Sequence, residues 1–411
     1  MSLFSTPNRA RLRHKVVGLV SATALVGSTA LVLTGAGTAL AGAAPLANQQ
    51  AQIASLRNTQ VASVAAPNGD QNPYGIAIVP ITSGTLTAGN LLVADFNNAA
   101  GTAAGGTSIL QINPTTGVSS VFYSGLASSG PVGIAINPVN DGVWIGDYGS
   151  TADGTGANDL LINAAGTLVA TFNNTTTSGA AAFNGVWGQA VSQANGAVSF
   201  YWGNAGNATT GTGGGDVWRL TPHPTGAPNG QPVHSTYAQI VAGQQATPAG
   251  GNAGNAVGPQ GFAFDAVTGV LYETNTASNT LYAIPTAATA TGPVTPTVVY
   301  QGPALVNPEN VVINPLNGNL LVVNGGNNNL VEITSTGRVV AKRNLAPHQP
   351  AGALFGLAAS TNAAGNLVIY YVNDNENSLH TLTCLPRQTI YVPRHGKQHA
   401  HRVAPACAGQ H

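Results

Sequence analysis

The stretch Pro73-Tyr-Gly-Ile-Ala-Ile78 decides the fold, because the same phrase returns five more times along the chain. The later copies are Pro131-Val-Gly-Ile-Ala-Ile136, Val186-Trp-Gly-Gln-Ala-Val191, Pro259-Gln-Gly-Phe-Ala-Phe264, Pro308-Glu-Asn-Val-Val-Ile313 and Leu354-Phe-Gly-Leu-Ala-Ala359. Their central residues, a glycine in every copy except Asn310, stand 46 to 73 residues apart. Self-similarity at such spacings indicates a repeat protein in which each copy belongs to one supersecondary unit.

Each phrase is followed by further short apolar runs, separated by Gly- and Asn-rich turns. In the first unit these runs are Asn90–Asp95, Ser108–Ile112 and Gly117–Phe122. They are four to six residues long and rich in β-branched residues, which is typical of strands. We therefore predict an all-β, six-bladed β-propeller of four-stranded antiparallel blades. A parallel β-helix is the alternative, but its repeats would be about 20 residues long.

The sixth unit lacks a clear fourth strand before Pro386. A spare segment with apolar residues, from Gln52 to Val64, precedes the first phrase. We predict that this segment supplies the missing outer strand and closes the ring between the two ends of the chain.

The two ends of the chain differ in composition from its body. Residues 1–43 combine a basic start, an apolar run and the small-residue sequence Ala39-Leu-Ala41, which predicts a secretory signal peptide; a membrane anchor is the alternative. We expect secretion, or a place in the periplasm or cell wall. Residues 387–411 form a basic, His-rich tail, which could bind a metal or an acidic polymer or be an unstructured end.

The body, residues 44–386, holds all 13 acidic residues but only five basic ones, a net charge of −8. Nucleic-acid binding needs a basic footprint, so this balance argues against it. We expect a monomer. The chain has two cysteines, Cys384 and Cys407, and outside the cytoplasm a disulfide between them is favoured over a metal site.

The repeated pattern resembles the NHL-repeat family over residues 72 to 383. The likeness rests on the P-x-G-[IF]-A-[IF] phrase, the following hairpin, and a second strand that ends in Asp or Asn. The third unit departs from the pattern with two long insertions, and the sixth has Leu354 in place of proline. The resemblance implies a six-bladed propeller whose relatives include scaffolds, peptide- and polymer-binding proteins, lyases and gluconolactonase-like hydrolases, so it does not by itself give a function.

Residues at or just before the central position of each phrase should surround the mouth of the propeller channel. They form a ring of aromatic and amide groups with a single carboxylate: Tyr74, Trp187, Gln260, Glu309, Asn310 and Phe355. A concave surface of this mixed character predicts a site for a small molecule, glycan or peptide. The alternative is that the aromatic residues only plug the channel.

An enzyme is the second hypothesis. The gluconolactonase-like resemblance implies a divalent cation such as Ca²⁺ held by oxygen ligands, for which Glu309, Asn310 and Asn184 are the candidates. The first unit, however, has Tyr74 where that family carries a glutamate. The Asp153-Gly-Thr-Gly loop could be a calcium-binding turn or a set of Asx turns. No histidine falls on a phrase, so the sequence favours a binding module over an enzyme.

Overall fold

The computed structural model describes residues 52–125, 129–149, 156–194, 197–222, 235–248, 250, 253–384, 389–394 and 397–402. They belong to one compact unit, Leu46–His411. The predicted signal peptide, the Asp153 loop and Cys407 lie outside the described residues. Cys384 is disulfide-bonded. No helix in the described part of the chain is long and apolar enough to cross a membrane.

The predicted architecture is confirmed: six sheets of four antiparallel strands form the blades of a β-propeller. The first strand of the chain is β1 (Arg57–Ser63), which follows a short helix, α1 (Gln52–Ser55). Blade 1 contains β2 (Gln71–Ile78), β3 (Leu91–Asn97), β4 (Ser108–Ile112) and β5 (Ser119–Ser124). Blade 2 contains β6 (Pro131–Ile136), β7 (Val143–Asp147), β8 (Asn158–Ile162) and β9 (Leu168–Phe172). Blade 3 contains β10 (Val186–Ala194), β11 (Ala197–Asn204), β12 (Asp216–Thr221) and β13 (Thr236–Val241).

The second half of the chain repeats the same order of strands. Blade 4 contains β14 (Pro259–Asp265), β15 (Val270–Asn275), β16 (Thr280–Ile284) and β17 (Thr297–Gln301). Blade 5 contains β18 (Pro308–Ile313), β19 (Leu320–Asn324), β20 (Asn329–Ile333) and β21 (Val339–Asn344). Blade 6 contains β22 (Leu354–Thr361), β23 (Leu367–Asn373) and β24 (Ser378–Thr383). A separate hairpin in the basic tail contains β25 (Thr389–Arg394) and β26 (Lys397–Arg402).

The fourth strand of blade 6 is β1, which pairs antiparallel with β24. The N-terminal segment therefore closes the ring, as its sequence predicts, although its first four residues form α1 rather than strand. The guanidinium of Arg343 in blade 5 donates hydrogen bonds to the carbonyl groups of Ile53 and Leu56. This contact fastens the closing segment of blade 6 to blade 5.

The glycine of the phrase is needed because the inner strands of adjacent blades approach each other closely. A Cβ atom added at Gly75 would overlap the carbonyl oxygen of Val132 in blade 2. Four other phrase glycines abut the next inner strand in the same way: Gly133, Gly188, Gly261 and Gly356. Asn310 alone places a side chain at this position, and it lines the central channel.

Candidate functional site

The central channel contains a cavity of about 340 Å³, formed by the inner strands of all six blades. Every residue that the sequence places at the mouth lines this cavity: Tyr74, Trp187, Gln260, Glu309, Asn310 and Phe355. The volume is at the lower end of the range of about 300–1,000 Å³ that ligand pockets occupy. The phrase therefore does position its variable residues around one cavity.

An aromatic cluster closes the mouth end of the channel. The ring of Tyr74 stacks against Phe96 at 4.4 Å and against Phe355 at 3.9 Å between centroids. The indole of Trp187 lies 5.6 Å from Tyr74 and from Phe96. Tyr74 and Trp187 are almost fully buried, with 6% and 4% of their surface exposed. The rings thus fill the mouth and pack on one another rather than standing open to solvent.

A second, smaller cavity of about 260 Å³ lies on the outer side of this cluster. It is lined by residues 254–257 together with Asn307, and it shares Trp187, Glu309 and Phe355 with the channel. These three shared residues form the wall between the two spaces. Glu309 therefore sits at the boundary between the channel and the outer pocket at the mouth.

Three polar residues of the channel hold an acceptor atom without a partner. Gln189 donates from Nε2 to Asp159 Oδ1 at 2.6 Å, and Gln260 donates from Nε2 to the carbonyl oxygen of Ala256 at 2.9 Å. The Oε1 atoms of both glutamines and Oε2 of Glu309 are buried and accept no hydrogen bond within the described part of the chain. Buried acceptors in native proteins almost always have a partner, so these three need an explanation.

The carboxyl group of Glu309 is buried in the wall of the channel. Burial, which disfavours the charged form, raises the pKa of Glu309 from 4.5 to about 8. Burial also raises the pKa of the Tyr74 phenol, with smaller contributions from the charges of Asp374 and Glu309. Tyr74 and Glu309 are the two titratable side chains among the described residues that line the channel.

Sequence reasoning missed Gln189, although a signal was present. The position after the phrase glycine is apolar in the other copies, as in Ile76, Ile134 and Phe262, and Gln189 is the polar exception. Gln189 lines the cavity, but its side chain packs between blades 2 and 3, against Gly146 and with Nε2 on Asp159. A polar residue in an otherwise apolar repeat position thus marks a contact between blades that reaches the channel wall.

The predicted metal ligands are only partly brought together. Glu309 and Asn310 are neighbours in β18 and both line the channel. Asn184 does not line it: its N–H donates to Asn204 Oδ1 at 3.1 Å and its side chain lies against Gly213 at the outer loops of blade 3. Among the described residues there is no group of three or more His, Cys, Asp and Glu side chains that could hold a metal ion.

Histidines do not contribute to the described channel. His380 lies in β24, where its Nε2 is 2.9 Å from Ser378 Oγ and its ring stacks on Tyr371. His348 does not line the cavity either, and His223 and His234 lie outside the described residues. Within the described residues, a histidine-based acid or base has no place in this channel.

The fold and the cavity define the class of this protein as a six-bladed β-propeller with a channel closed at one end by aromatic residues. No family model matches the chain, and no curated protein matches it either. The fold of this chain does resemble those of solved structures.

A gluconolactonase from Xanthomonas campestris is 15% identical to this chain. The superposition has a TM-score of 0.50 and covers 82% of this chain and 92% of the gluconolactonase. The calcium-binding protein regucalcin from Agrobacterium tumefaciens is 14% identical over 79% of this chain and 93% of its own, with a TM-score of 0.49. A PQQ-bound aldose sugar dehydrogenase from Streptomyces coelicolor is 16% identical to this chain. The superposition has a TM-score of 0.45 and covers 80% of this chain and 98% of the dehydrogenase. At 15% identity the likeness to the gluconolactonase establishes a shared fold and nothing about activity.

Proposed function

We propose that this protein is a secreted, NHL-like propeller that binds a small molecule in its central channel. The observation that carries the proposal is the channel cavity of about 340 Å³, whose wall holds buried, unpartnered oxygen atoms of Gln260 and Glu309. Leaving a buried polar atom unpaired costs about 1–3 kcal/mol, which a ligand with matching donors would recover. A cavity of this size favours a small molecule over a glycan or peptide at the mouth.

A divalent-cation-dependent hydrolase or lyase is the second candidate. The oxygen atoms of Glu309 and Asn310 are of the kind that hard cations take, but Ca²⁺ requires about six to eight oxygen ligands. The channel offers one carboxyl group and three side-chain amides, and the third predicted ligand, Asn184, lies elsewhere. This donor set fits a neutral or cationic organic ligand better than it fits a calcium ion.

A thermal-shift screen of small molecules against the purified protein tests the binding function. Glu309→Gln removes the channel carboxyl group. Glu273→Gln is the matched control, because Glu273 is also buried and its pKa is also raised to about 8 but it does not line the channel. Ligands of the channel should stabilise the wild type and Glu273→Gln and stabilise Glu309→Gln less. If no compound shifts the wild type, the binding function is refuted.

Metal analysis of protein purified without chelator separates the two candidates. A stoichiometric divalent ion that is lost in Glu309→Ala would support the hydrolase or lyase. The absence of an ion, together with no thermal shift on adding Ca²⁺, would count against it.

The proposed location and state of the protein have their own tests. Recovery of the protein outside the producing cells, with a new N-terminus close to Ala41, would support export and signal cleavage. Light scattering during gel filtration should give the mass of one chain, since we propose a monomer. The body charge of −8 leads us to expect no binding to DNA or RNA.

A further inference from the structure

The end of the channel opposite the mouth is lined by apolar side chains from all six blades. Because each inner strand starts at the mouth, the sixth residue of each phrase lies at this far end. These residues are Ile78, Ile136, Val191, Phe264, Ile313 and Ala359. All six line either the channel or a neighbouring space of about 280 Å³, which we call the far cavity. The polar residues of the mouth have no counterpart at these positions.

The far cavity adjoins the channel and reaches the face of the propeller opposite the mouth. It shares Ile78, Ile134 and Phe264 with the channel. It extends to Pro80 and Pro138, two exposed residues that follow the inner strands of blades 1 and 2. The exposed prolines show that solvent reaches the far cavity.

Exposed apolar side chains lie at the same face. Ile81, Val139 and Val267 are 41%, 55% and 94% exposed, and each lies in the turn that joins the first two strands of its blade. Blades 1, 2 and 4, which carry these turns, also contribute residues to the far cavity. Exposed apolar residues beside a cavity are typical of a ligand-binding groove.

No charged side chain among the described residues lines the far cavity. Two acidic residues, Asp141 and Asp265, lie at the turns of the same face. Asp141 is only 1% exposed, and the carboxylate of Asp265 accepts hydrogen bonds from Val267 and Thr268. An ion that moves from water into this cavity would lose its hydration without gaining an opposite charge, which is costly. The wall therefore favours a neutral ligand.

Gln189 is the one polar side chain among the described residues in the wall of the far cavity. Its Nε2 donates to Asp159 Oδ1 at 2.6 Å, which holds the amide group between blades 2 and 3. Its Oε1 accepts no hydrogen bond within the described part of the chain, although the residue is only 8% exposed. A buried acceptor without a partner calls for a donor, and a hydroxyl group is a neutral donor.

We propose that the far cavity is a second binding site, which takes a neutral, mainly apolar molecule that carries a hydroxyl group. The hydroxyl donates to Oε1 of Gln189, and the apolar remainder packs against Phe262 and the sixth-position residues of the phrases. The site lies at the other end of the channel from Gln260 and Glu309, so it does not depend on the ligand of the proposed function.

Isothermal titration calorimetry with neutral and charged probes of similar chain length tests this inference. We expect octanol to bind the wild type roughly tenfold or more tighter than octylamine or octanoate, because the wall offers no opposite charge. Octanol should bind about fifteenfold tighter than hexanol, since each buried methylene group contributes about fourfold. Octyl methyl ether, which has no hydroxyl donor, should bind about fivefold weaker than octanol.

Variants of the wall locate the site. Val191→Trp fills the far cavity and should abolish octanol binding, whereas Val298→Trp, the same change on the exposed outer strand of blade 4, should not. Ile78→Trp is a second filling variant with the same expected result, should Val191→Trp not fold. In Gln189→Leu, octanol should bind no tighter than the ether, and the ether should bind as it does to the wild type. Glu309→Gln should bind octanol as the wild type does.

The outcomes separate this inference from the proposed function. If octylamine or octanoate binds as tightly as octanol, or if the filling variants bind octanol like the wild type, the inference is wrong. Octanol binding that is lost in Glu309→Gln but kept in Val191→Trp would place the alcohol at the mouth end, which overturns the far site and supports the proposed function. If octanol fails to bind while screened compounds do, the far site fails and the channel function stands. A dimer that Val267→Ser converts to a monomer, with no binding of octanol, would show that a second copy covers this face and would also overturn the inference.

Discussion

Replacing Glu309 by glutamine should make the protein more stable in alkali while leaving its stability in acid unchanged. The carboxyl group is buried without a positive partner, so the folded protein holds its proton up to a pKa of about 8, whereas the unfolded chain releases it near 4.5. Between these values the folded state binds more protons than the unfolded state. The stability that the neutral acid provides is therefore complete below pH 4.5 and is lost as the pH rises to about 8.

The size of the effect follows from the pKa difference. A shift of one pKa unit corresponds to about 1.36 kcal/mol, so the change from 4.5 to about 8 amounts to on the order of 5 kcal/mol. A body of roughly 330 residues has an unfolding entropy of about 0.7 kcal/mol/K, which converts this free energy into about 7 °C. Glutamine keeps the shape of the protonated acid and has no charge to desolvate.

Thermal unfolding at pH 5 and pH 9, followed by circular dichroism, measures the effect. We expect Glu309→Gln to unfold at the wild-type temperature at pH 5 and about 7 °C higher at pH 9. Glu273→Gln should behave in the same direction, because Glu273 is buried with a pKa of about 8. A difference between Glu309→Gln and wild type that is the same at both pH values would refute the reasoning, since it would mean that Glu309 has the same pKa in the folded and unfolded states.

Two further predictions concern the fold. Gly75→Ala should lower the free energy of unfolding by about 3 kcal/mol, because the new Cβ would overlap the carbonyl oxygen of Val132. Gly292→Ala should be neutral, because no atom lies within 4 Å of its Cβ. Equal denaturant midpoints for the two variants would contradict this prediction. Glu332→Leu should lower the free energy of unfolding by about 2 kcal/mol in the same assay. Oε1 of Glu332 accepts hydrogen bonds from three asparagine amides at 2.8–3.4 Å, and leucine would leave those amide donors unpaired. A wild-type midpoint would show that water replaces the carboxylate.

The recurring phrase made the fold predictable, down to the strand that closes the ring. Each copy became an inner strand, and the spare segment before Gln71 paired with β24 as β1. The reason is local: alternation and turn residues define strands, and the close approach at Gly75 admits no side chain. Such constraints act on single residues and are visible in one sequence.

The candidate site was predictable only in part, because its geometry depends on contacts between blades. The phrase placed Tyr74 and Phe355 in the ring, but it could not show that they stack on each other at 3.9 Å and close the mouth. Phe96 joins the same cluster from β3, far from any phrase. Asn184 lies two residues before the third phrase, yet its side chain lies against Gly213 at the outer loops. Proximity to the phrase along the chain does not determine which way a side chain points.

Departures from the repeat explain why this channel is not lined by the same residues all round. A ring of six identical phrases would present the same small and apolar residues all round, and no ligand could be oriented in it. Polar departures from the pattern occur in three copies: the third has Gln189 where others are apolar, the fourth has Gln260 before its glycine, and the fifth has Glu309 followed by Asn310 in place of glycine. Gln260, Glu309 and Asn310 come from the neighbouring blades 4 and 5, so the polar residues lie on one side of the channel wall and the wall is asymmetric. An asymmetric wall is the physical condition for holding a bound ligand in one orientation.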